Sequence, residues 1–168
     1  MFMGSEEFPG EDRSFGGNNL YVDLVPKGCW FKNVRTNVSP SDWDAIRKIV
    51  YKRAGFACEI CGAKGRLEAH ERWSYDDETH VQKLVRLIAL CQECHMVTHF
   101  GLASLRGKEK ETVAHFKKVS GLSYSDIKTH IEDAFDQWEK RSRHSYRLDL
   151  SMIEKCGVAI SQRQTNFS

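Results

Sequence analysis

Apolar residues recur along the chain in distinct rhythms, and each rhythm predicts an element. Trp43, Ile46, Ile49 and Val50 fall at helical spacing. Ser39 stands before them as an N-cap, Pro40 suits the first turn, and Asp42 lies near the positive end of the helix dipole. Gly55 suits the stop. LEAHERW at 67–73 and LVRLIAL at 84–90 are short runs that read as strands, joined by the acidic, solvated loop SYDDETH at 74–80. The second strand runs into CQECHMVTHF at 91–100, which reads as the start of a helix. Val113, Phe116 and Val119 then mark a helix from Lys108 to Val119 that ends before Gly121. Ser123, with Asp126 as capping partner, opens another whose apolar face is Ile127, Ile131, Ala134, Phe135 and Trp138. RLDLSMI at 147–153 alternates as a short strand would. Strands and helices are thus mixed, an α+β pattern.

A chain of 168 residues can bury one modest core. Residues 1–19 have few apolar side chains and four Gly, and are expected to be disordered. A single domain is expected over 20–160, with its core at 41–101 and a helical extension at 108–143. The tail SQRQTNFS at 161–168 is polar and expected to fray. Hydrophobic residues at 40 % and charged residues at 29 % suit a soluble globular protein. No run approaches the roughly 20 apolar residues of a membrane helix, so no membrane partner is expected. The acidic, Gly-rich start lacks the basic and apolar regions of a secretory signal, so the expected location is the cytoplasm. Net charge is only +2, so any surface for nucleic acid must be local. KRSRHSYR at 140–147 is one basic candidate, and equally a helix end whose cations offset the dipole.

A reducing compartment changes the reading of the six cysteines from disulfides to metal. CEICG at 58–62 and CQECH at 91–95 are Cys-x2-Cys knuckles, each able to bring two thiolates to one ion. Cys58, Cys61, Cys91 and Cys94 make a closed tetrahedral set suited to structural zinc. The 29 residues between the pairs exceed the usual ribbon spacing of roughly 15–20, so something is inserted between the knuckles. Cys29 and Cys156 lie in no motif and read as small buried hydrophobes.

The insertion carries histidines. His95 and His99 are four apart, on one helical face, and can share a metal. His70, on the first strand, is a third ligand candidate. Three imidazoles leave coordination positions open, as catalytic rather than structural sites do.

Together, Cys-x2-Cys, a strand histidine, and Leu-Cys-x2-Cys-His with a further His four residues on resemble the HNH endonuclease family over about residues 41–101. The resemblance implies a ββα-metal fold, treble-clef-like and stapled by a zinc on four cysteines, with flanking α-helices. It places this chain with the His-x3-His subgroup, in which three histidines, here His70, His95 and His99, hold a catalytic divalent metal. Where the family has a general-base histidine this chain has Glu71, and where it has an asparagine before the second knuckle this chain has Arg86. Adjacent strand residues face opposite sides, so Glu71 and His70 share a site only if the strand ends or bulges there. In another register His70 is the base and Glu68 or Glu71 joins the metal; His80 is a third base candidate.

The expected activity is hydrolysis of DNA phosphodiesters with one divalent metal, Mg, Mn, Ni or Zn, with RNA left open as a substrate. Arg72 or Arg86 would neutralise charge on the phosphate. Phosphate contacts would dominate over base readout. The competing expectation is a non-catalytic zinc-stapled domain that binds DNA or protein, motivated by Glu71 and Arg86.

Overall fold

The computed structural model describes residues 7–161. Among them, a short 3-10 turn at Lys27–Cys29 precedes α1 (Val34–Asn37) and α2 (Pro40–Arg53). A hairpin of β1 (Leu67–Asp76) and β2 (Val81–Cys91) follows, then α3 (Gln92–Thr98), α4 (Phe100–Leu105), α5 (Glu109–Ser120) and α6 (Tyr124–Arg141). The described chain closes with β3 (Arg147–Asp149) and α7 (Ser151–Glu154). The fold is mixed α+β. None of these helices is long and apolar enough to cross a membrane.

The sheet has the order β1-β2-β3, with β1 antiparallel and β3 parallel to β2. β1 is therefore an edge strand. β2 is covered on both faces, which explains its unbroken apolar run. Leu87 and Ala89 pack with Val34, Ile46, Val50 and Ile153 on one side. Ile88 and Leu90 pack with Val97, Phe116 and Ile127 on the other.

The predicted caps form. Ser39 and Ser123 accept the backbone N–H of Asp42 and Asp126 at the starts of α2 and α6. Three features differ from expectation. The loop expected over 74–80 shrinks to a turn at 77–80, because β1 continues through Asp76 and β2 begins at Val81. The strand expected over 147–153 stops at Asp149, whose carboxylate accepts the Ser151 N–H (2.9 Å) and turns the chain into α7, burying Met152 and Ile153. The helix opened by the second knuckle is interrupted at His99, whose backbone leaves helical values (φ −95°, ψ 49°) before α4 begins.

The expectation of disorder over 1–19 is corrected for residues 7–19; residues 1–6 lie outside the described residues, as do 162–168 of the expected tail. Phe8 is buried in the core. Glu11 accepts two hydrogen bonds from Arg53 (2.6 and 2.7 Å) and one from the Leu87 N–H (2.8 Å), with both charged side chains buried. The register of the hairpin slips between Arg72 and Trp73, which pair with Arg86 and Leu84 and leave Val85 as the extra residue. A bulged residue is left outside the ladder, and the Val85 carbonyl accepts the Asp12 N–H instead (3.0 Å). Polar composition suggested a free arm, but its few polar groups are complementary to groups the sheet leaves unpaired.

Candidate metal centre

The first knuckle is a tight loop. The Cys58 N–H donates to the Ala63 carbonyl (2.9 Å), and the Gly62 N–H donates to the Cys58 carbonyl (2.9 Å). Gly62 takes φ +76°, a conformation open to glycine at little cost. The second knuckle straddles a junction: Cys91 ends β2 and its sulfur accepts the Cys94 N–H (3.4 Å) as the cap of α3. The four Sγ atoms of Cys58, Cys61, Cys91 and Cys94 all lie within 4.8 Å of one another. This cluster can hold a metal such as zinc.

Its electrostatics favour a cation. The hydrogen bond from the Cys94 thiol pulls Cys58 down to about 4, while that same bond raises Cys94 and burial pushes Cys91 up to about 12. One thiolate suppresses ionisation of its neighbours, and a divalent ion would relieve that repulsion. His115 of α5 places Nε2 3.2 Å from Cys94 Sγ. This contact outside the four sulfurs carried no signal in the sequence, since His115 is 21 residues away on a separate helix.

The second cluster joins β1 to α3. One ring nitrogen from each of His70, His95 and His99 lies within 4.8 Å of the others. Ring centroids are 5.3 Å apart for His70–His95, 5.1 Å for His70–His99 and 4.5 Å for His95–His99. His70 Nε2 is buried without a hydrogen-bond partner among the described residues. An orphaned buried nitrogen facing two other imidazoles fits a metal ligand. Burial drives all three rings toward the neutral, ligating form: His70 well below its usual value, His95 and His99 to about 4. The Glu68 carboxylate meets His95 Nδ1, the arrangement that orients a metal-bound imidazole.

Both clusters grow from one hairpin, and the histidines open into a cleft of about 1180 Å³. Alternation puts Glu68 and His70 on one face of β1 and Ala69 and Glu71 on the other. All four nevertheless border the cleft. Because β1 has a free edge, a cleft running along that edge touches side chains of both faces. The strand neither ends nor bulges at Glu71: it pairs with Leu87, which packs with Val34, whereas His70 pairs with Ile88, which packs with Val97, so the two side chains leave opposite faces of the sheet. The Glu71 carboxylate accepts the Val34 N–H at the start of α1 (2.7 Å), and burial pushes it up to about 7, with the Val34 and Arg35 backbone opposing.

Other sequence candidates fall elsewhere. Arg86 is not brought to the histidines: it donates to the Phe15 and Gly17 carbonyls (3.2 and 2.7 Å) and pairs with Glu59 (3.4 Å). Its cross-strand partner Arg72 donates to the same two carbonyls (3.0 and 2.6 Å). The loop passes so close that a Cβ on Gly16 would lie 2.8 Å from the Arg72 guanidinium. His80 takes φ +52° in the hairpin turn, and its ring stacks on His144 at 4.4 Å, away from the cleft. In the basic stretch at 140–147, Arg141 is bound to Asp77 (2.9 Å) and Arg143 to Glu139 (3.2 Å).

The cleft also recruits residues that sequence reasoning passed over. Lys27, Lys32, Arg35, Arg47 and Arg66 border it, against the carboxyls Asp23, Glu68 and Glu71. Asp23 donates its backbone N–H to the Thr98 carbonyl (2.9 Å), and burial pushes its carboxyl up to about 6, with Arg141 and Arg72 opposing. Comparison with protein-family models, with curated proteins and with solved structures finds no match to this chain.

Proposed function

We propose that the chain is an HNH-type endonuclease that hydrolyses nucleic-acid phosphodiesters with one divalent metal. The observation that carries this reading is the three-imidazole cluster of His70, His95 and His99 facing a basic cleft. The local order supports it. A Cys-x2-Cys knuckle leads into an antiparallel hairpin, and the second knuckle joins that hairpin to a helix, as expected of a zinc-stapled ββα-metal module. In this reading zinc sits on Cys58, Cys61, Cys91 and Cys94, and its binding contributes to folding.

Bound by the histidines, a divalent ion would supply Lewis-acid charge for the phosphate and lower the pKa of water. His70, His95 and His99 would hold it as neutral ligands. Glu68 fixes the His95 ring through Nδ1. Glu71, at the strand edge on the face opposite His70, would accept the proton of the attacking water as the phosphorus–3′-oxygen bond breaks, and the departing oxygen would take its proton from solvent. The Val34 N–H holds its carboxylate, and burial raises its pKa, which the charge of a bound metal would lower again. Exposed Arg35 and Arg66 at the cleft border neutralise the phosphate, the role that Arg72 and Arg86 cannot take while holding the 15–17 loop.

The test is cleavage of plasmid, single-stranded DNA and RNA after weakly held metal is removed and Mg, Mn, Ni or Zn is added. Cleavage with at least one metal, abolished in His99→Ala, is expected. No cleavage of any substrate with any of the metals would replace this reading with that of a zinc-stabilised binding domain. The engagement of Arg86 by the N-terminal segment is the observation that favours this second reading.

A further inference from the structure

The four tryptophans of the chain, Trp30, Trp43, Trp73 and Trp138, all border the cleft that holds the histidines. Two of them are fixed in an unusual way. The Trp30 indole N–H donates to the Val25 carbonyl at 2.9 Å, and the Trp138 indole N–H donates to the same carbonyl at 3.1 Å. One backbone acceptor thus sets the direction of two rings that lie on distant parts of the chain. Trp30 is nevertheless 55 % exposed. Its one polar group is already satisfied, so what it offers outward is ring surface alone.

Cations line the same cleft as that ring. Lys27 Nζ lies 5.1 Å over the ring of Trp138, which shares the Val25 carbonyl with Trp30, and exposed Lys27 and Arg35 both line this cleft. Leu102 and Leu105 of α4, 41 % and 86 % exposed, also line it. Of the cleft's carboxyls, Glu68 meets His95 and Glu71 the Val34 N–H, so an apolar protein partner would bury Lys27 and Arg35 with little counter-charge. A polyanion satisfies them, and a rigid indole adds affinity for flat, unstacked rings. In a duplex, base faces are already covered by neighbouring bases, so an aromatic platform is useful only where the strand is single.

We propose that this cleft takes single-stranded nucleic acid, with an unstacked base on Trp30 and the sugar–phosphate chain along Lys27 and Arg35. The proposal rests on the phosphodiesterase reading for its purpose, but binding is measurable without cleavage. Stacking on any base has little sequence preference, and the 2′-hydroxyl is not required, so both DNA and RNA strands are bound.

The test uses full-length His99→Ala protein, which binds without cutting. Fluorescein-labelled dT20, rU20 and a 20-base-pair duplex are titrated, reading anisotropy and tryptophan quenching at fixed salt. Both single strands should bind more tightly than the duplex and quench tryptophan emission. Adding Trp30→Ala should weaken single-strand binding by roughly 5- to 150-fold, the usual worth of one stacked base, and leave duplex binding unchanged. Trp30→Phe should restore most of the affinity. An unchanged zinc content and melting temperature show that the Trp30→Ala protein is folded, as expected while Trp138 keeps the Val25 carbonyl paired. Tighter binding of duplex, or single-strand affinity indifferent to Trp30→Ala, overturns the proposal. Single-strand binding with no cleavage by the parent would remove the nuclease reading and leave this one standing. Cleavage without single-strand preference would do the reverse.

Discussion

Glu11 offers a direct measure of how firmly the N-terminal segment belongs to the fold. Its carboxylate accepts hydrogen bonds from both terminal nitrogens of Arg53 and from the Leu87 N–H, and the two side chains are 2 % and 3 % exposed. Arg53 also donates to the Leu87 carbonyl (2.6 Å), and its guanidinium lies 5.1 Å over the Phe8 ring. Glu11→Ala would leave a buried guanidinium without its counter-charge and the Leu87 N–H without an acceptor. Breaking a buried pair from one side costs about 3–5 kcal/mol, because the remaining charge keeps its desolvation penalty. Small domains have only about 5–15 kcal/mol in total, so much of the stability is at stake. With a urea slope of about 2 kcal/mol/M, the midpoint should fall by roughly 1.5–2.5 M. Glu11→Ala combined with Arg53→Met removes the stranded charge, and the double variant should recover part of the loss. Equilibrium urea unfolding followed by tryptophan fluorescence measures both. A shift below about 0.5 M for Glu11→Ala, or a double variant no better than the single, would refute the argument that residues 7–19 are anchored by this pair.

The purified protein should hold about one tightly bound zinc per chain, lost on Cys91→Ala; a folded Cys91→Ala protein with full zinc by elemental analysis would contradict the four-sulfur site. Glu71→Gln should lower cleavage by roughly 10²–10⁴, the range of a positioned general base, with His99→Ala keeping the structural zinc while losing cleavage; a parent-like rate for Glu71→Gln removes it from the mechanism. Asp23 has a folded pKa of about 6 against a usual 3.8. Its ionisation therefore opposes folding: the contribution is intact below pH about 4 and is lost as pH rises through about 6, for a loss of roughly 3 kcal/mol at most. Asp23→Asn should accordingly melt higher than the parent at pH 7.5 and alike at pH 4; equal melting at both would show that Asp23 is not desolvated.

Much of this molecule is governed by local chemistry and is readable along the chain. The serine caps before α2 and α6 depend on contacts three residues apart, so their signals are contiguous. The knuckle cysteines and the His95–His99 spacing are likewise local, and the tight turn at Gly62 needs only its own backbone freedom. The continuous apolar run of β2 marks a strand covered on both faces, whichever elements cover it. Other features exist only because distant segments meet. That β1 is the sheet edge follows from where β3 pairs, and no residue of β1 records it; yet that edge lets Glu71 and His70 border one cleft from opposite faces. Arg72 and Arg86 look like phosphate-binding groups in sequence, but the carbonyls of Phe15 and Gly17, over 50 residues away, take up their donors. The same is true of residues 7–19, whose polar composition signals a free arm until the partners Arg53, Leu87 and Val85 are in place. Single-chain patterns carry propensity and spacing; which unpaired donors and acceptors find each other is decided by the tertiary fold, because burying them unpaired costs more than the ordering of the segment that satisfies them.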